Sequence, residues 1–433
     1  MSGQISKTPI LTGLSDLLHR SIDVDDKQRA RRHVLDWLGC VVAGAQESAG
    51  QAFLAELPQT PSDIAFAWGG LGNILEMDDV DKRGLLHPGP SIVPAALAQA
   101  QASGANMESL LEAIIRGYEA TIRLGRAVGP SHYAMWHSTG TCASIGAAAA
   151  CSHLRGHDPE MTAHAMALAV SQSAGLWHTR HDPKSMGKQL HTAVAARAGL
   201  DAARLVGQGV TGPLRILEGE QGFFQAMCVD GDPDAVLSDT KQRWAIHTVS
   251  FKPWPACRHA HAVIDAALEL RERVNPDALG EIRVATYADA LKFCDNASPK
   301  TVIEAKFSLQ HSVAVALARG APSLEDFGLP AIRDERLAAQ RGQVSLVIGS
   351  EFQDRYPARF GASVSGAGET IIVEDALGDP ENPVTDAQIL AKADMLMAAG
   401  HVSEAYRREL TKLIMEGDGS IDPLFTKLSE AIQ

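Results

Sequence analysis

Histidines, lysines and carboxylates gather beside proline and glycine breaks at five places along this chain. In EMDDVDKRGLLHPGP, Glu76, Asp78, Asp79 and Asp81 precede His87-Pro88-Gly89-Pro90. A proline after His87 holds that residue extended, and the Pro/Gly positions that follow suit a helix entry. Two readings are open: an acidic surface loop with a turn histidine, since charged residues are mostly exposed, or carboxylates that orient a substrate or a base. In SHYAMWHSTGT, His132 and His137 flank Trp136 just before an Ala/Gly-rich stretch. Ser138 or Thr139 could cap the helix that starts there, and its amides would favour an anion. The alternative is a satisfied core histidine.

The third place is KSMGKQLHTAVAARAGLDAARL, where Lys188 and His191 lie three apart and share one helix face. Two basic groups there could grip a carboxylate, or simply face water. The fourth, FKPWPACRHAHAVIDAAL, gathers Lys252, Arg258, His259 and His261, with Pro253 and Pro255 pinning an extended entry to a helix. Residues two apart diverge on a helix, so His259 and His261 cannot both face one ligand. One of them is expected to be structural, and a metal pair is not expected. The fifth is KFSLQHSVAVAL, with Lys306 and His311 at the start of another apolar helix.

The elements that must position these groups follow from pattern. The chain has 433 residues, room for two or three domains and a large core. From Asp25 to about Gly207 the pattern is helical. Val34, Leu35, Leu38, Val41 and Val42 form one apolar stripe, with a stop expected at Gly44. Further helices are expected at Ser91–Ser103, Glu108–Val128, Gly140–Leu154, Pro159–Ser173 and Gly187–Val206. GTCASIGAAAA, from Gly140 to Ala150, has small residues on every face, which suits a central helix or a subunit interface. Near Phe251 the character changes. EIRVATYA, QVSLVIG and ETIIVE read as strands, with helices at His261–Val274 and Ser308–Leu317 between them. After Pro383 the pattern returns to helix. The expected fold is mainly α: a large all-helical domain, 1–250 completed by 385–433, and a smaller α+β lid domain, 251–384.

Composition narrows the function class. There are 39 Lys+Arg against 52 Asp+Glu, a net charge of −13, which argues against a general nucleic-acid or anionic-membrane binder. No stretch is long and apolar enough to span a bilayer, and MSGQISKTPILTGLSDLLHR lacks the pattern of a secretory leader. The six cysteines form no C-x-x-C pair and read as reduced thiols, so a cytoplasmic location is expected and a zinc ribbon is not. A P-loop, a complete G-x-G-x-x-G, a G-x-S-x-G elbow and H-E-x-x-H are all missing from the sequence.

Taken in order, GLGNILEMDDV…HPG, GYEATIRLGRAVG, HSTGT, MGKQLHTAVAARAGLDAARL, GPLRILEGEQGF, FKPWPACRHAHAVIDAA and EAKFSLQHSVAVAL resemble the MmgE/PrpD family. That family includes 2-methylcitrate dehydratase, cis-aconitate decarboxylase and iminodisuccinate epimerase. The resemblance implies a helical domain with an α+β lid, a homodimer, an active site between the domains, and chemistry without an organic cofactor or required metal. It implies a small di- or tricarboxylate as substrate, and a proton moved next to a carboxylate. Stabilising the resulting enediolate needs positive donors, for which Lys188, Lys252 and Arg258 are suited. His137 and His261 are expected to exchange the proton, with Lys188 and Asp78 in the catalytic set. His87, Asp79, His191 and His311 join Lys252 and Arg258 in holding substrate. Trp68, Asn73, Glu76, Met77 and Val80 depart from the family's usual Asn, His, Asp, aromatic and hydroxyl residues, and His311 stands at a usual tyrosine. These departures imply a substrate held in its own way. Dehydration, decarboxylation and epimerisation all remain open, as does a non-catalytic carboxylate-binding homologue.

Overall fold

A computed structural model describes residues 8–56, 58–182, 185–275 and 279–433, so the first seven residues of the segment read for a leader lie outside them. The fold is mainly α, with a smaller α+β region carrying the four-stranded sheet. Two compact units result. The larger comprises Met1–Ile74, Asp78–Val249 and Asp386–Gln433, and the smaller comprises Leu75–Met77 and Ser250–Thr385.

In the larger unit the helix Ser138–Leu154 is buried continuously from Ser138 to Ser152. It packs on Met107–Ala127, Gly89–Ser103, Pro159–Val170 and Gly187–Val206. Small residues make this possible. A methyl added at Gly199 would sit 2.5 Å from the Ala148 nitrogen and 2.6 Å from the Ser144 carbonyl oxygen, while one at Gly146 would collide with Thr121 and the Gly117 carbonyl. Backbones therefore approach where larger side chains would hold them apart.

The helix Val24–Ala45 begins with a capping box between Asp23 and Asp26. It ends at Ala45, one residue beyond the expected stop at Gly44, but without a left-handed glycine at its end. A Cβ at Gly44 would lie 2.7 Å from the Leu71 carbonyl oxygen, so glycine serves close packing instead of a helix end. The chain's C-terminal part returns to this helix: Lys392, in Asp386–Ala399, reaches Asp36 at 2.6 Å, and both are buried.

In the smaller unit the strands are β1 (Ile282–Thr286), β2 (Val344–Ile348), β3 (Ala362–Gly366) and β4 (Glu369–Val373), in the order β2-β1-β3-β4. β1 runs parallel to β2 and antiparallel to β3, and β3 pairs antiparallel with β4. The β3–β4 turn places Ala367 and Gly368 at φ 52° and 86°, the left-handed pair of a type I′ hairpin. β3, ASVSG, was not expected as a strand because it has a single β-branched apolar residue. The helix His261–Arg273 packs on β3 and β4.

His259, of the His259/His261 pair, is structural. Its Nδ1 shares a 2.7 Å hydrogen bond with the Tyr287 hydroxyl, and its ring stacks on Phe293 and Phe360. Burial, with Arg258 beside it, pushes this imidazole down to about 3.

Two outcomes follow from this packing. Gly146→Ala is expected to destabilise the larger unit by about 1–3 kcal/mol, read as a lower urea midpoint, because the new methyl would overlap Thr121 and the Gly117 backbone of the helix Met107–Ala127. For His259, the folded pKa lies below the unfolded 6.5, so its stabilising contribution is complete above 6.5 and is lost as pH falls toward about 3. By pH 4.5 this amounts to about 3 kcal/mol. Thermal unfolding measured from pH 7 to 4.5 should show a shallower loss for His259→Gln than for the wild type.

Candidate active site

The acidic segment of the larger unit is buried, not a surface loop: Asp78, Asp79 and Asp81 are each at most 3% exposed. Burying carboxylates requires donors, and the local fold supplies them. Asp81 closes the turn. Its backbone pairs with Leu86, and its side chain accepts from the Gly84 amide at 2.7 Å and from Arg126. That turn delivers His87 to the start of the helix Gly89–Ser103.

His87 is the most informative group. Its Nδ1 lies 2.8 Å from the Asp79 carbonyl oxygen and 2.9 Å from Asp78 Oδ2. Two acceptors against one nitrogen place the proton on Nδ1 and leave the lone pair on Nε2. Asn73 steadies Asp78 by donating to the same Oδ2 at 2.6 Å. The His87 amide donates to Thr139 Oγ1 at 2.9 Å, linking this residue to the first turn of the Ser138–Leu154 helix. The His87 side chain keeps 13% exposure, so part of it remains open to a ligand.

That helix has no side-chain cap from Ser138 or Thr139. His137 occupies the cap position, and Thr139 instead accepts from His87. His137 Nδ1 lies 3.2 Å from His191 Nδ1, so one ring must donate and the other accept. The His137 ring lies 4.5 Å from Trp177 and 6.5 Å from His87, centroid to centroid. Burial, reinforced by His191, Lys188 and His87, holds His137 well below its usual pKa, and it is neutral near pH 7. Burial and Lys188 likewise push His191 down to about 4. His191 nests against Gly140 and Gly175, where added Cβ atoms would approach it to 3.0 and 3.2 Å. Lys188 is half-buried on the same helix face. The structure thus gathers Asp78, Asp79, His87, His137, Lys188 and His191 in the larger unit.

Beneath His87 lies a network that the motifs did not reveal. Asp79 Oδ2 accepts from the Tyr118 hydroxyl at 2.7 Å and from His33 Nδ1 at 2.7 Å, while Oδ1 accepts from the Gly89 amide at 2.9 Å. Burial raises Asp79 to about 6, against the opposing pull of Tyr118 and Gly89. It is therefore ionised at neutral pH, with three donors around it. Burial pushes His33 well down and Tyr118 well up, so both remain neutral. His33 and Tyr118 sit on helices whose apolar pattern explains their burial without suggesting a partner. The one signal was a polar ring on each buried face.

The other expected residues lie in the smaller unit. Lys252 is buried with its Nζ 3.9 Å from Glu76 Oε2, and Glu76 takes a left-handed φ of 58°. Lys306 donates to the Leu75 carbonyl at 3.0 Å. Arg258 lies 2.5 Å from Asp379, which also accepts from Ser250. His261, at the start of its helix, has Nε2 3.2 Å from the Ala256 carbonyl. At His311, Nε2 donates to the Asp326 carbonyl at 2.8 Å and Nδ1 faces Arg341 at 3.1 Å; both nitrogens are taken by this unit's own structure. Among the described residues, the trio Asp375, Asp379 and Glu381 is close enough to share a cation, but Arg258 already lies against Asp379.

No described helix is long and apolar enough to cross a membrane. Comparison with known proteins supplies a lineage. A cis-aconitate decarboxylase-like protein, oryM, of Aspergillus oryzae (strain ATCC 42149 / RIB 40) is 26% identical, covering 96% of this chain and 95% of that protein. The mitochondrial 2-methylcitrate dehydratase of Yarrowia lipolytica (strain CLIB 122 / E 150) is 24% identical over 68% of this chain and 56% of its own length. Cis-aconitate decarboxylase of Homo sapiens is 25% identical over 69% of this chain and 68% of its own length. The MmgE/PrpD N-terminal domain matches residues 14–235 and the MmgE/PrpD C-terminal domain matches residues 254–416. With both domains matched in order, the chain belongs to the MmgE/PrpD family.

Proposed function

We propose that the protein is a lyase or isomerase that moves a proton next to a carboxylate of a small di- or tricarboxylate. The observation that carries this reading is the Asp78–His87 pair, with His87 protonated on Nδ1 and its Nε2 free of that pair's bonds. A carbon acid beside a carboxylate is weakly acidic, so its deprotonation needs a base in the right tautomer and a positive field for the developing enediolate. His87 supplies the first. Lys188 and the amides at the start of the Ser138–Leu154 helix supply the second, as a point charge and a helix N-terminus.

The base role falls to His87 in this reading, not to the His137/His261 exchange expected from the motifs. His137 is buried, neutral and engaged with His191, a setting that suits a hydrogen bond to substrate better than proton uptake. As His87 accepts a proton, its imidazolium is stabilised by the Asp78 carboxylate 2.9 Å away. In dehydration this imidazolium hands the abstracted proton to the departing hydroxide; in decarboxylation no proton is first taken from the substrate, so the carbanion left by loss of CO₂ is protonated by a His87 imidazolium charged from solvent. Decarboxylation and dehydration therefore draw on the same groups. The names of the relatives, cis-aconitate decarboxylase and 2-methylcitrate dehydratase, favour substrates of this class. The family expectation of a homodimer and a cofactor-free reaction completes the reading.

The test is turnover. Purified protein is offered cis-aconitate, citrate, 2-methylcitrate and iminodisuccinate, following CO₂ release, dehydration and solvent deuterium uptake. His87→Gln and Lys188→Ala are each expected to lower kcat by about 10²–10⁴-fold. A fully active His87→Gln overturns the base assignment, and ligand binding without any turnover would make the protein a carboxylate-binding homologue.

A further inference from the structure

We propose that Tyr118 and His33 are positioning residues for the proton transfer, holding Asp79 so that Asp79 fixes the His87 imidazole. The inference rests on the reading of His87 as the base. Asp79 contacts the 87–89 segment twice. Its carbonyl oxygen takes His87 Nδ1 at 2.8 Å, and its Oδ1 takes the Gly89 amide at 2.9 Å. The segment is clipped at both ends to one residue, with Pro88 between them restricting its backbone. The clip is tight, since a Cβ on Gly89 would lie 2.7 Å from Asp79 Oδ1.

A clip holds only if Asp79 itself is held. Its remaining oxygen, Oδ2, is fixed by the Tyr118 hydroxyl from the helix Met107–Ala127 and by His33 from the helix Val24–Ala45, each at 2.7 Å. Both donors are fully or almost fully buried, so water is excluded as a substitute. The order of dependence is therefore two helices, then the Asp79 carboxylate, then the Asp79 peptide, which shares His87 Nδ1 with Asp78 Oδ2 and so sets how firmly the imidazole is held. Neither Tyr118 nor His33 touches the lone pair of His87 Nε2. They act through Asp79.

A purely structural role would make the same bonds, so the test must read the imidazole. Tyr118→Phe keeps the buried ring and removes only the hydroxyl. With histidine ¹⁵N-labelled, wild-type His87 is expected to show the Nδ1–H tautomer, and Tyr118→Phe should show the Nδ1 and Nε2 shifts moving toward each other. On whichever carboxylate is turned over, kcat should fall about 10–100-fold, the range seen when a residue orienting another is removed, with KM within about twofold. His33→Asn, which keeps a donor near the Nδ1 position, should restore most of the activity lost in His33→Ala; this comparison carries the test if Tyr118→Phe does not fold. An unchanged His87 tautomer in Tyr118→Phe, or equal activity of His33→Asn and His33→Ala, overturns the inference. If His87→Gln is fully active, the base reading itself has failed. If His87→Gln is inactive while Tyr118→Phe keeps wild-type kcat, only the positioning role has failed.

Discussion

A carboxylate removed from water must be surrounded by donors or it will not stay charged, and Asp79 imposes that demand on three helices of the larger unit. Its donors come from three separate helices: His33 in Val24–Ala45, Tyr118 in Met107–Ala127 and the Gly89 amide at the head of Gly89–Ser103. Each helix is placed by its own apolar packing, yet the carboxylate fixes how they meet. Burial raises Asp79 only to about 6, which leaves it ionised and the network polarised at neutral pH.

This arrangement reverses the impression given by bulk charge. A net charge of −13 suggests an acidic exterior, and the expected ligand is an anion. Carboxylates are nevertheless buried beside the histidines of the site. There they accept hydrogen bonds from His33 and His87, while in the proposed reading the positive field comes from Lys188 and a helix N-terminus. Asp78 illustrates the division of labour: Asn73 and His87 both bind its Oδ2, so its charge is committed to the protein before any ligand arrives.

Much of the scaffold could be read directly. The helix Gly187–Val206 was legible because its pattern starts after Met186 and ends at Gly207, and β1 because EIRVATYA is β-branched and alternating. β3 escaped because ASVSG is small and polar, and its strand identity comes from pairing with β1 and β4. The acidic loop was the larger difficulty. Charged residues are usually exposed, and nothing near Asp79 in sequence shows that His33 and Tyr118, 46 and 39 residues away, will neutralise its burial. Candidate site residues such as His137 and His191 were recognisable by type. Their mutual bond across 54 residues was not, because it depends on the helices Ser138–Leu154 and Gly187–Val206 meeting at Gly140, beside the loop residue Gly175.

The close packing at Gly146 has a consequence for how such a protein can change over generations. At Gly146 the helix Ser138–Leu154, with His137 at its cap, lies against Thr121 and the Gly117 backbone of Met107–Ala127 too closely to admit an extra methyl group. A larger residue at this position would have to push the two helices apart. Asn73, where this chain departs from its family's habit, shows how tightly such a position is tied in: its side chain is buried and its amide is committed to Asp78 Oδ2 at 2.6 Å, so a change there alters the carboxylate that faces His87.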